Sequence, residues 1–166
     1  INILMKNISF IITLFFIVSL SSIETDKILI CINQKIRQIV ASNEFTPQPD
    51  DQIIDAAGNY VAPGFIDMHI HGGGGHDFMD GTVEAFLGIA ETHAKYGTTS
   101  MVPTTLTCSD TELMNMFATY RKAKVLNTKG AKFIGLHLEG PYFSPKQSGA
   151  QDPIYLKKPH PDEYNA

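Results

Sequence analysis

The chain has 166 residues, a formal net charge of −4 and a pI near 5.8. That length suffices for one domain with its own core, and mild acidity without a Lys/Arg cluster argues against a nucleic-acid surface. With 43% hydrophobic and 18% charged residues, the composition rules out a disordered chain.

Residues 1–23 are apolar with one charge, Lys6. Read from Met5, residues 5–22 have the layout of a signal peptide: Met5-Lys6-Asn7 as a basic start, Ile8 to Leu20 as the apolar stretch, Ser19-Leu20-Ser21 as a small-x-small cleavage site. The run is short for a membrane span, which takes about 20 residues. The other reading is an aberrant N-terminus. A start at Ile1 and an end at Asn165-Ala166 suggest a fragment of a longer protein.

Residues 25–62 read as part of a small β-structure. Lys27–Ile32 and Lys35–Val40 are Ile-rich strands joined by a turn at Asn33-Gln34. Thr46–Asp51 is a loop, Gln52–Asp55 a short strand and Gly58-Asn59 a turn. Cys31 and Cys108 form no CxxC pair, so neither a disulfide nor a thiolate metal site is expected, and a reducing compartment fits.

Residues 63–166 alternate strand and helix. Phe65–Ile70 is a strand. Thr82–Tyr96 is a helix with Val83, Phe86, Leu87, Ala90 and Ala94 on one face, ended by Gly97. Thr98–Thr105 is the second strand. Ser109-Asp110-Thr111-Glu112 is a capping box opening a helix whose face carries Leu113, Met116, Phe117, Tyr120 and Lys124. Lys132–Leu138 is the third strand, running into Glu139-Gly140-Pro141. Such alternation predicts an α/β fold with a parallel sheet, its strand ends on one rim.

On that rim the chemistry concentrates. His69 and His71 are two residues apart on a strand, so their imidazoles share one face. Glu139 ends the third strand. Two imidazoles and a carboxylate from separate strands suit a divalent ion such as zinc, which would lower the pKa of a bound water. Asp67 shares the parity of the histidines and is expected to be a hydrogen-bonding orienter. His137 shares the parity of Glu139, one layer deeper, and reads as a satisfied core histidine. His76, His93 and His160 carry no spacing signal and read as solvated. Gly72–Gly75 either cradles an anion or gives clearance to a neighbour.

Pro63–Gly75 with His76-Asp77-Phe78, then Tyr96-Gly97-Thr98-Thr99 with Pro103-Thr104-Thr105, then Gly135-Leu136-His137-Leu138-Glu139-Gly140-Pro141, together resemble the N-acetylglucosamine-6-phosphate deacetylases of the amidohydrolase superfamily. The resemblance runs from about Ile53 to about Tyr155. It implies the first three βα units of a metal-dependent (β/α)8 barrel over 63–166, preceded by part of a small β-sandwich over 25–62 and the apolar segment 1–24. It implies hydrolysis of the N-acetyl group of N-acetylglucosamine 6-phosphate, a small amino-sugar phosphate, to glucosamine 6-phosphate and acetate. Glu139 matches the metal-binding glutamate, His69 and His71 a pair able to hold a second ion, and Ala150 with Gln151 the loop that contacts the sugar. One or two divalent ions, zinc first, a full-length homodimer and a cytoplasmic setting follow from the same resemblance; export is the alternative if residues 5–22 act as a signal peptide. Its general base is an aspartate on a later strand, joined by two later histidines, so these 166 residues alone are expected to be inactive or nearly so. The apolar start does not look like the family's usual first strand. The rival readings are an amidohydrolase acting on a cyclic amide or another acylated amine, and a non-enzymatic truncated product.

Overall fold

The structure, a computed structural model, describes residues 2–6 and 24–165. It has two compact units, Ile1–Gly64 and Phe65–Ala166.

The first unit is built on a four-stranded sheet in the order β3-β2-β1-β4, from β1 (Asn2–Lys6), β2 (Lys27–Ile32), β3 (Lys35–Ala41) and β4 (Gln52–Asp55). β2 and β3 form an antiparallel hairpin. Its turn residues Asn33 and Gln34 both have positive φ, 51° and 61°, the backbone of a hairpin turn whose twist matches its strands. β1 runs parallel to β2 and antiparallel to β4, pairing Met5 with both Cys31 and Gln52. β1 thus takes in Met5-Lys6, the expected start of the signal-like stretch. A continuous apolar run fits a sheet interior as well as a leader, and hydropathy does not separate the two. The proposed apolar stretch and cleavage site lie outside the described residues. Among the described residues, no helix is long and apolar enough to cross a membrane.

The second unit is α/β. Its sheet, in the order β5-β8-β9, is parallel throughout. It contains β5 (Phe65–Ile70), β8 (Thr98–Pro103) and β9 (Lys132–Phe133), with α1 (Val83–Lys95) and α2 (Asp110–Leu126) as the connections. Thr82 caps α1 by accepting from the Ala85 N–H, and Gly97 follows its end at φ 95°. Ser109 and Glu112 form the expected capping box on α2.

The core gathers Phe78, Phe86, Ile89, Ala90, Met101, Met116, Ala123, Ala131 and Phe133. Phe86 is its hub, with ring centroids 4.7 Å from Phe78 and 5.8 Å from Phe133. Full burial of such a side chain stabilises by about 1.5–3 kcal/mol. The buried side of α1 is Ala85, Phe86, Ile89 and Ala90, with Leu87 and Ala94 half-buried, because this helix packs against α2 and β8 and also against a hairpin the sequence pattern did not reveal. That hairpin pairs β6 (Gly72–Gly73) with β7 (His76–Asp77) through Gly74 and Gly75, both at positive φ. On α2, Ala123 is buried in place of Lys124, whose ammonium instead sits 5.6 Å from the Tyr120 ring centre.

The third strand is regular only over Lys132–Phe133, not over the expected Lys132–Leu138. Pairing continues irregularly: His137 N–H donates to the Pro103 carbonyl at 2.8 Å, and Thr105 N–H to the His137 carbonyl at 2.9 Å. Pro103 has no N–H of its own to give a ladder there, and β8 ends at Pro103 rather than Thr105.

Candidate metal centre

β5 delivers His69 from its last turn of alternation and His71 just beyond its end, while Glu139 arrives past the irregular run after β9. The three side chains meet. His69 Nε2 and His71 Nε2 are 3.2 Å apart, and Glu139 Oε2 lies 3.3 Å from the first and 3.0 Å from the second. Among the described residues this is the one group of three or more such side chains able to hold a metal ion.

The triangle fits a cation better than it fits its own atoms. The approach of Glu139 Oε2 to the two rings lacks the alignment of a hydrogen bond, and Oε2 is buried without a hydrogen-bond partner. The two imidazoles are within hydrogen-bond reach of each other, but the carboxylate oxygen that completes the triangle is left without a partner. A tetrahedral ion with ligands at about 2.0–2.1 Å separates those ligands by roughly 3.3 Å, close to all three edges here.

The supports are local. Asp67 Oδ1 accepts from the His69 N–H at 3.1 Å, the contact of a structural hydrogen-bond partner. Thr104, fully buried, accepts from the Ile70 N–H through Oγ1 at 3.0 Å, holding the residue between the two histidines. Thr105 Oγ1 accepts from the Glu139 N–H at 3.3 Å, and Thr107 Oγ1 donates to the Glu139 carbonyl at 3.1 Å. Thr104 and Thr105 are legible in the sequence as β-branched residues of the second strand and as part of a motif, and Thr107 carries no signal; the signal missed is the hydroxyl at positions that are buried. His137 stacks edge-on against His69, ring centres 4.8 Å apart, and is not one of the converging donors.

His93 corrects the expectation that it is solvated. It is half-buried, and its Nε2 lies 3.1 Å from the Gly72 carbonyl oxygen. His76 and His160 are exposed, near Asp80 and Asp162. The glycine run gives clearance: a Cβ on Gly73 would stand 2.5 Å from His93 Nε2, and one on Gly74 would overlap the Thr92 hydroxyl.

Ala150 is exposed and is not one of the converging donors. Gln151 is buried, with its Oε1 accepting from the Thr107 N–H at 2.7 Å. Nearby, Lys157 joins Asp110 and Glu163, each at 2.6 Å. These two carboxylates, Asp110 first, hold its ammonium well above the ordinary lysine range. Both cysteines are free, and burial pushes the Cys108 thiol up.

A parallel α/β sheet with His, His and Glu converging beyond its strands is an arrangement that suits a metal-dependent hydrolase. The amidohydrolase family model matches residues 60–165, and the chain belongs to that family. It is 35% identical over 120 residues to N-acetylglucosamine-6-phosphate deacetylase of Bacillus subtilis (strain 168), covering 70% of this chain and 30% of the relative. It is 34% identical over 98 residues to N-acetylgalactosamine-6-phosphate deacetylase of Escherichia coli O157:H7, covering 59% of this chain and 26% of the relative. The crystal structure of N-acetylglucosamine-6-phosphate deacetylase from Pasteurella multocida superposes with a TM-score of 0.68 at 30% identity, over 86% of this chain and 35% of that one. The chain thus spans about a third of the length of such relatives.

Proposed function

We propose that this chain carries metal-binding strand ends of a zinc-dependent deacetylase that converts N-acetylglucosamine 6-phosphate to glucosamine 6-phosphate and acetate. The convergence of His69, His71 and Glu139 supports this reading, together with the names of its relatives. In it, residues 63–166 are the first three βα units of a (β/α)8 barrel and 25–62 part of a small β-sandwich, the working form is a homodimer, and a phosphorylated sugar substrate suits the cytoplasm.

His69, His71 and Glu139 would hold the ion, with the imidazoles neutral and the carboxyl ionised. When bound, a divalent ion polarises the acetamide carbonyl and lowers the pKa of an adjacent water. The chain's own part is to keep that donor set in place. Asp67 fixes the His69 backbone, Thr104 the Ile70 backbone and His93 the Gly72 carbonyl, so His71 is held from both sides. Exposed Ala150 and the amide nitrogen of Gln151 are the groups this reading offers to the sugar. The proton-transferring aspartate implied by the family resemblance is not assigned to any residue here, so turnover by these 166 residues alone is expected to be slight.

Zinc titration followed by calorimetry tests the site. Uptake by the wild-type chain, lost in His71→Ala and Glu139→Gln, is the expected result; a wild-type chain that takes up no zinc overturns it. Acetate release from N-acetylglucosamine 6-phosphate, measured against N-acetylgalactosamine 6-phosphate and a cyclic amide, tests the substrate. Robust turnover by the 166-residue chain would overturn the expectation of near-inactivity.

A further inference from the structure

The carboxylate of the candidate metal centre sits on backbone that no regular ladder holds. β9 ends at Phe133 and β8 at Pro103. Glu139 is instead gripped from both sides of its own peptide units: Thr105 Oγ1 accepts from its N–H at 3.3 Å, and Thr107 Oγ1 donates to its carbonyl at 3.1 Å. The second bond is the shorter, and its donor also lies beyond its strand, so Thr107 needs an anchor.

Gln151 provides one. Its side-chain oxygen accepts from the Thr107 N–H at 2.7 Å, in a buried contact between residues 44 apart in sequence. Thr107 is 7% exposed and Gln151 6%. Packing reinforces the link: Gly140, directly after Glu139, has φ 99°, and a Cβ there would overlap the Thr107 hydroxyl. The Glu139 side chain itself offers no substitute, since its Oε2 has no hydrogen-bond partner.

We infer that Thr107 and Gln151 are positioning residues for Glu139, acting in series: the Gln151 carboxamide fixes the Thr107 main chain, and the Thr107 hydroxyl fixes the main chain of the metal-centre carboxylate. The inference rests on the proposed metal site. It gives Gln151 a duty other than touching the sugar, and it ties the loop after Pro141 to the donor set.

Cobalt(II) titration of the full chain, read by visible absorption, tests it. Thr107→Val removes the hydroxyl and keeps the shape; Gln151→Met removes the acceptor. Each is expected to weaken cobalt binding about 10–100-fold, the usual effect of losing an outer support of a metal ligand, with Thr107→Ser restoring wild-type affinity and band shape. Because the residues act in series, Gln151→Met adds no further loss in the Thr107→Val background. Wild-type affinity in both single variants, or additive losses in the double variant, overturns the inference and leaves the metal site standing. Amide exchange on the metal-free chain gives an independent reading. Gln151→Met should speed exchange at both Thr107 and Glu139; acceleration confined to Thr107, or uniform across the chain, overturns the positioning role. A wild-type chain that binds no cobalt overturns the metal reading, and the exchange result then decides the linkage by itself.

Discussion

His93 reaches from α1 to the Gly72 carbonyl, Nε2 to oxygen 3.1 Å, and so clamps the Gly72–Gly73 peptide just beyond His71. A carbonyl only accepts, so Nε2 carries the proton in this contact. The same nitrogen is where a Gly73 side chain would collide, at 2.5 Å. Gly73→Ala is therefore expected to destabilise by about 1–3 kcal/mol, the usual scale of overpacking. Urea unfolding should show a lower midpoint at unchanged slope. His93→Ala removes the obstacle, so the double variant should lose less than the sum of the two singles; strict additivity would rule out the clash.

Thr104 carries more than its methyl group. Its buried hydroxyl serves the Ile70 N–H and donates to the Val102 carbonyl at 3.2 Å. Thr104→Val keeps the volume and strands the Ile70 donor, which costs about 1–3 kcal/mol for a buried group. Denaturation should register that loss, with Thr104→Ser close to wild type. A valine variant of unchanged stability would show that Ile70 N–H finds another acceptor.

Acid should loosen the start of α2. Two bonds from Ser109, its hydroxyl first and then its N–H, hold the Glu112 carboxyl below the usual carboxylate range. The folded value is depressed, so the contribution is present above the ordinary carboxylate pKa and lost as pH falls through the lower folded one. Stability of the wild type, followed by circular dichroism, should decline over that acid window relative to Glu112→Gln, in which the window is silent. Ser109→Ala should cost about 1 kcal/mol at neutral pH through loss of the N-cap. Parallel curves for wild type and Glu112→Gln would contradict the assignment.

Gly140→Ala combines two penalties. Left-handed backbone at φ 99° disfavours any side chain, and the new methyl group would overlap the Thr107 hydroxyl. The expected loss is roughly 2–5 kcal/mol in thermal or urea unfolding. Thr107→Ala in the same chain should return the packing part only, leaving the backbone part in place. Full recovery would mean that the backbone carries no strain.

Much of the second unit is legible from residue order alone. Period-two alternation places His69 and His71 on one face, capping residues start both helices, and Gly97 follows the first of them. What escapes is set by contacts that sequence spacing does not encode. The glycine hairpin exists because α1 offers Gly88, Thr92 and His93 as a surface cut to receive it. The arc of α1 that is buried includes Ile89 because the helix packs against α2, β8 and the hairpin. The pairing of Asn2–Lys6 escapes because an apolar run says nothing about its partners. The side chains of the candidate metal centre are visible as residue types, whereas the roles of Thr104, Thr105 and Thr107 around them show only once their burial is known.

The Lys157 N–H donates to the Pro141 carbonyl at 3.1 Å, and the Lys157 ammonium is tied to α2 through Asp110. The excursion between these two residues is thus pinched shut at its neck. Lengthening a closed loop adds little entropic penalty, so insertions or deletions within 144–155 can be absorbed inside the pinch, provided Gln151 keeps its bond to Thr107. A lineage carrying this fold can therefore reshape the outer face of that loop while the carboxylate at its base stays where it is.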